Sequence, residues 1–193
     1  MSQQTAETLE NRMVNGVDVG RLFETIDAVK GEPGIARFKF RSTNRWINGG
    51  NNQARINGFY GALQEHSRET DFELEIDEPP VLLGEDKGPN PVEYLLAGLS
   101  GCLTSSLIFH AAARGITIRG VESRLEGDLD LRGFLGISKD VKVGYENIRV
   151  YFKIDADISD ADKQELIQMA KKYSPVFNTV ANPTDVTVEL DKD

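Results

Sequence analysis

The stretch DEPPVLLGEDKGPNPVEYLLAGLSGCLTSSLIFHAAARG, Asp77 to Gly115, decides the fold of this 193-residue chain. Its first half is loop, by its prolines and glycines. The second half opens on Asn90-Pro91-Val92-Glu93, with asparagine as N-cap, proline at the first helical position and glutamate three residues after the cap. The spacing predicts a helix from about Pro91 to Arg114, stopped by Gly115. Leu95, Leu96, Leu99, Leu103, Leu107, Ile108 and Phe109 spread around its circumference, and a helix apolar on nearly all sides must be buried. In a chain this small the cover comes from a sheet and a second helix, or from a second subunit. The sole cysteine, Cys102, lies inside this helix.

Working outward, the N-terminal side reads as helix and then strands. Val19, Leu22, Phe23, Ile26 and Val29 recur at helical spacing behind Asp18 as N-cap, with Gly31 and Pro33 closing the end. Phe38 and Phe40 alternate with polar residues, NRWINGGNNQ (44–53) supplies turn chemistry, and Ala54, Ile56 and Phe59 form a return strand. The polar run Gly61–Thr70 reads as loop, and Phe72, Leu74 and Ile76 alternate again. Together these predict a small antiparallel N-terminal sheet.

On the C-terminal side, Val121, Leu125, Leu129 and Leu131 predict a strand with an irregularity near Gly127, and RGFLGISKDVKVGYEN (132–147) a loop or hairpin connection. Ile148, Val150, Phe152 and Ile154 alternate as a strand, and Ser159-Asp160-Ala161-Asp162 opens a helix lined by Leu166, Met169, Ala170 and Tyr173. Ser174-Pro175 starts a short helix, and Val186, Val188 and Leu190 predict a last strand. The order of elements is that of an α+β domain without regular βαβ alternation.

Composition narrows the function classes. A net charge of −9 and a pI near 4.8 argue against nucleic acid or an anionic membrane as partner. The first thirty residues hold no apolar run like a signal peptide, and no later stretch is expected to span a membrane. One cysteine cannot form an internal disulfide, so a cytoplasmic protein is expected. One Cys with His66 and His110 does not make a zinc site, and no nucleotide-binding or serine-hydrolase motif is present, so no cofactor is expected.

Cys102 is either a small hydrophobe or a reagent. Its helical neighbours Gly98, Ser105 and Ser106 make its face small and partly polar. Gly98 and Gly101 each cost about 1 kcal/mol relative to alanine in a helix interior, which implies that a packed element or a substrate approaches the backbone closely. Reactivity needs a thiolate, and a free thiol is only a few per cent ionised at neutral pH. Cys102 lies too far from the helix start for the dipole to help, so a cation must come from elsewhere. Arg37, Arg41, Arg45 and Arg55 are the candidates, and periodicity alone chooses none of them. Glu93 completes the capping box. Nine residues at about 100° each leave it and Cys102 on opposite faces of a straight helix. His110 reads as a satisfied buried histidine, and His66 as solvated in a loop.

GPNPVEYLLAGLSGCLT on the helix, AAARGI after it and KKYSPVFNTVANP near the C-terminus resemble the OsmC / organic hydroperoxide resistance family. The resemblance covers about Phe38 to Leu190 and leaves residues 1–34 as an N-terminal helical extension to an OsmC-like domain at 35–193. It implies an α+β fold in which two subunits intertwine, with long buried central helices on antiparallel sheets. It also implies a homodimer that reduces organic hydroperoxides with Cys102, activated by Arg45 and Glu93 at the subunit interface. One departure stands out: where family peroxidases carry a second cysteine that captures the sulfenic acid as a disulfide, this chain has Ser174. Two readings follow. One is a one-cysteine peroxidase whose partners are a small-molecule hydroperoxide and a thiol reductant. The other is a non-peroxidatic binding protein holding a small apolar or thiol ligand at the dimer interface.

Overall fold

The computed structural model describes residues 12–192; residues 1–11 of the expected extension lie outside them. The chain divides into two units, residues 12–13 with 18–95 and residues 14–17 with 96–192.

In the N-terminal unit, α1 (Val19–Gly31) begins where expected, the Asp18 carboxylate accepting the Arg21 N–H at 3.0 Å. Six strands follow: β1 (Lys39–Phe40), β2 (Thr43–Asn48), β3 (Asn51–Ile56), β4 (Phe59–Gly61), β5 (Gln64–His66) and β6 (Phe72–Ile76). They form two antiparallel three-stranded sheets, ordered β1-β4-β5 and β2-β3-β6, rather than one. The turn expected across residues 44–53 contracts to Gly49-Gly50, with Gly49 at φ +55° and the Trp46 indole N–H donating to its carbonyl at 3.0 Å. The expected loop Gly61–Thr70 holds a hairpin instead, turned by Ala62 and Leu63 at φ +48° and +63°. Such left-handed pairs normally use Asn or Gly, so composition gave no sign of it.

The loop after β6 is organised by Asp77, 1% exposed, whose carboxylate accepts the N–H groups of Glu78, Glu85 and Lys87 at 2.8, 3.1 and 3.2 Å. Burial pushes this carboxyl's pKa up, but the three amides and the nearby Lys87 charge outweigh it and leave the group below its ordinary value. Gly88 lies so close to the chain that a Cβ there would sit 2.2 Å from the Glu75 carbonyl oxygen. The loop delivers the chain to α2 (Pro91–Ala113), which opens with the reciprocal capping box. The Asn90 N–H donates to Glu93 and the Glu93 N–H to the Asn90 side chain, both at 2.9 Å.

In the C-terminal unit α2 ends in a Schellman turn. Gly115 at φ +70° donates to the Ala112 carbonyl and the Ile116 N–H to that of Ala111, each at 2.9 Å. β7 (Ile118–Asp128), the single-turn α3 (Leu131–Phe134), β8 (Asn147–Ala156), α4 (Asp160–Tyr173) and α5 (Pro175–Ala181) complete the unit. β7 and β8 pair antiparallel with Val121 opposite Ile154 and Leu125 opposite Val150. On this sheet and α4 packs one stripe of α2, Leu99, Leu103, Leu107 and Ala111, together with Leu166 and Ala170. The register slip falls at Asp155/Ala156 and not near Gly127. Gly127 instead makes room for the Tyr145 ring, which a Cβ would meet at 2.4 Å.

Two further expectations change. Residues 186–190 form no strand among the described residues, and Val186, Val188 and Leu190 are exposed at 79%, 89% and 83%; their alternation is a strand pattern without a neighbour to pair with. The all-round burial of α2 is also not met among the described residues: five of its 23 residues are buried, while Leu95 and Phe109 are 39% and 49% exposed. By length and composition alone α2 is apolar enough to cross a membrane, but its leucine stripe is the core of the C-terminal unit.

Two measurements check this packing. Leu107→Ala removes a fully buried side chain from the centre of the stripe and is expected to lower the unfolding free energy by about 3 kcal/mol in chemical denaturation. Asp77→Asn is expected to lower the thermal midpoint by several degrees at pH 7. Because the Asp77 carboxyl has a lower pKa folded than its ordinary 3.8, its contribution is present above that value and lost as pH falls through the folded one. The gap between wild type and variant should therefore close in acid.

Candidate functional site

Cys102 is a free, half-buried thiol on α2, between the buried Leu99 and Leu103 of the core stripe. Facing it is Ser174, 0% exposed, at the junction of α4 and α5. Local chemistry fixes this serine from three sides. Its N–H donates to the Ala170 carbonyl at 2.9 Å, ending α4. Its hydroxyl oxygen accepts the Phe177 N–H at 3.1 Å, capping α5, and Pro175 follows at the first helical position. The hydroxyl proton is donated to Cys102 Sγ at 3.1 Å. Two residues 72 positions apart are thus brought into direct contact.

Two turns further along α2, the His110 ring packs against Tyr173, the last residue of α4, at 4.8 Å between centroids. Burial, and to a lesser extent the positive charge of Arg114, push the His110 pKa below its ordinary value, so the imidazole is neutral at pH 7 and supplies no cation. Nothing lies within 4 Å of the Cβ positions of Gly98 and Gly101, so the close approach expected there is not made by the described residues of this chain. Ala97, Gly101, Ser105 and Phe109 form an exposed line on α2 opposite the leucine stripe.

The other expected site residues belong to the N-terminal unit. Arg45 is exposed on β2, opposite Gln53, and its guanidinium makes no hydrogen bond or ion pair among the described residues. Of the remaining candidate arginines, Arg41 is held bidentately by Glu65 at 2.7 and 2.9 Å. Arg55 pairs with Asp71 at 2.5 Å and Glu73 at 3.8 Å, and Arg37 is exposed on the way to β1. Glu93 is exposed and uses one carboxylate oxygen in the capping box. His66, expected in a solvated loop, lies half-buried on β5, its ring stacked on Phe59 at 4.6 Å and one ring nitrogen 3.0 Å from the Gly61 carbonyl. Among the described residues no group of three His, Cys, Asp or Glu side chains is placed to hold a metal ion.

Spacing along the sequence missed the Ser174–Cys102 contact, having given Ser174 only a capping role. Only the resemblance, which set Ser174 at the position expected of a second cysteine, implied that the two residues lie within reach of each other.

Comparison with known proteins agrees on the fold. A hydroperoxide reductase of Mycoplasma genitalium is 23% identical over 120 residues, 62% of this chain and 79% of that protein. The crystal structure of an OsmC-like protein from Mycoplasma pneumoniae superposes with a TM-score of 0.58 at 22% identity, covering 74% of this chain and 87% of that one. An organic hydroperoxide resistance protein OsmC from Legionella pneumophila gives a TM-score of 0.52 at 18% identity over 73% of this chain and 89% of its own. The family model described as OsmC-like protein matches residues 84–189, more than half of the chain and a span holding the capped helix, Cys102 and Ser174 together, so the chain belongs to the OsmC-like family.

Proposed function

We propose that the protein is a one-cysteine thiol peroxidase that reduces organic hydroperoxides as a homodimer in the cytoplasm. The observation that carries this reading is the half-buried Cys102 with a hydroxyl donor 3.1 Å from its sulfur, in a chain that belongs to the OsmC-like family. The name of the Mycoplasma genitalium relative, a hydroperoxide reductase, supports the reaction class.

The thiolate of Cys102 attacks the terminal oxygen of the hydroperoxide. The S–O bond forms as the O–O bond breaks, and the leaving alkoxide takes a proton to become the alcohol. The sulfur, oxidised by two electrons, becomes a sulfenic acid. An external thiol then attacks that sulfur, releasing water and leaving a mixed disulfide. A second thiol frees Cys102 and departs as the oxidised disulfide. Arg45 is the cation assigned to the thiolate and the peroxide, and Glu93 the carboxylate assigned to orient it. Among the described residues Arg45, like Arg37, makes no ion pair, whereas Arg41 and Arg55 are tied to acidic neighbours; the choice of Arg45 over Arg37 rests on the family resemblance.

The second subunit is proposed from the uncovered side of α2. A line of Ala97, Gly101, Ser105 and Phe109, with open space over Gly98 and Gly101, is small and apolar enough for another helix to approach closely. A copy of the same helix is the occupant assigned to it.

Two experiments test these assignments. Wild type should consume an alkyl hydroperoxide in the presence of a dithiol while Cys102→Ser does not, and Arg45→Ala should reduce kcat/KM on the order of 10²-fold. Without reductant, the intact mass of the wild type should rise by two oxygens as the sulfenic acid over-oxidises to sulfinic acid. Equal peroxide consumption by wild type and Cys102→Ser would overturn the peroxidase reading. Light scattering at micromolar concentration should give a dimer, whose interface is expected to exceed the roughly 1,600 Å² of a standard one. A stable monomer would overturn the assembly.

A further inference from the structure

Ser174 is completely buried, and its hydroxyl has one proton to give. Its oxygen already accepts the Phe177 N–H at 3.1 Å, an interaction that sets the rotamer through the capping geometry of α5. With the oxygen fixed from that side and the backbone N–H held by the Ala170 carbonyl, the O–H points at Cys102 Sγ, 3.1 Å away. A neutral thiol is a weak acceptor, whereas a thiolate takes a charge-assisted hydrogen bond of roughly twice the strength. A donor aimed at the sulfur therefore favours the charged form.

We propose that Ser174 is a positioning residue for Cys102, its hydroxyl donating to the sulfur and fixing its direction from within the same subunit. This rests on the reading of Cys102 as the reacting thiol. The inference changes what the serine means. A hydroxyl does not displace the oxygen of a sulfenic acid, but it donates to the sulfur before oxygen transfer.

The ionisable and charged groups next to Ser174, or C-terminal to Cys102 on the same side of the chain, are these. On α2 it is His110, neutral at pH 7, and Arg114 follows the last residue of that helix. On α4 they are Lys171 and Lys172, whose ammonium groups lie over the Phe177 and Tyr173 rings at 5.5 and 4.9 Å, and Tyr173 itself. α5 carries none, and β7 and β8 turn apolar side chains to the core. Among the described residues none of these groups hydrogen-bonds Cys102 Sγ, so the serine donor is the local influence to remove.

The test is the pH dependence of alkylation of Cys102 by iodoacetamide, read by intact mass, which is unambiguous because the chain has one thiol. Ser174→Ala and Ser174→Gly should both move the midpoint upward by about half to one pH unit, slowing alkylation below the midpoint by roughly three- to tenfold. Ser174→Thr, which keeps a hydroxyl and a cap, should retain the wild-type midpoint. Glycine preserves most of the capping function, so Ser174→Gly carries the test if Ser174→Ala does not fold. Thermal melts taken alongside report the structural cost, which a merely structural serine would show without moving the alkylation midpoint. Midpoints equal to wild type in the folded Ala or Gly variant would overturn the proposal. Peroxide turnover is measured separately, so an inactive wild type whose alkylation midpoint still depends on Ser174 would sink the peroxidase reading and leave this one standing.

Discussion

The rotation of α2 about its own axis is set by the four residues Leu99, Leu103, Leu107 and Ala111, which recur every fourth position and bury themselves against Leu166, Ala170 and the β7–β8 sheet. Each fully buried leucine contributes about 1.5–3 kcal/mol, so a roll of one residue, about 100°, would cost most of the core. Cys102 precedes Leu103 and follows Leu99 by three, which places it on the rim of that stripe rather than at its centre. The half-burial of the sulfur and its meeting with the α4–α5 junction are therefore consequences of leucine packing. The same rotation leaves Gly98 and Gly101 facing away with open space before them.

The junction itself is built from ordinary helix-end chemistry. α4 stops where the Ser174 N–H finds Ala170, and α5 starts where the Ser174 oxygen finds Phe177. One residue serves as the end of one helix and the beginning of the next, and Pro175 permits no continuation between them. A side chain so constrained loses little further entropy in donating to sulfur. A thiol at the same place would cap α5 poorly.

Much of the architecture was legible because its signals are local. The Asn90–Glu93 box, Asp18, Ser159 and Gly115 each act within a few residues of themselves, and each was read from its neighbours alone. Membership in the OsmC-like family was legible in NPVEYLLAGLSGC for a related reason, since cap, small residues and cysteine coincide within thirteen positions. What escaped was either conformationally unannounced or long-range. The Ala62-Leu63 turn adopts left-handed backbone with residues that rarely do so. The alternation of Val186, Val188 and Leu190 was read correctly as a pattern, but a strand exists only with a partner, and partners are not encoded in spacing. At the site, Cys102 was visible as a lone thiol, whereas its hydrogen bond to Ser174 depends on how two distant helices meet.

Near the start of the described chain, Asn15 at φ +54° and Gly16 at +77° turn the backbone so that the Asn15 side chain reaches the end of α2. Its Nδ2 donates to the Ile116 carbonyl at 2.9 Å and its Oδ1 accepts the Ile118 N–H at 2.8 Å, supplying the rung that joins the Schellman turn to β7. A polar group so placed fills a gap in the hydrogen-bond ladder more than a hundred residues away in sequence. Proteolytic trimming that reached past residue 15 would leave that carbonyl and amide without their partner just where the central helix hands over to the sheet beneath it. Asn15 thus acts as a clasp on the C-terminal unit, and the integrity of the thiol's scaffold is tied to that one side chain.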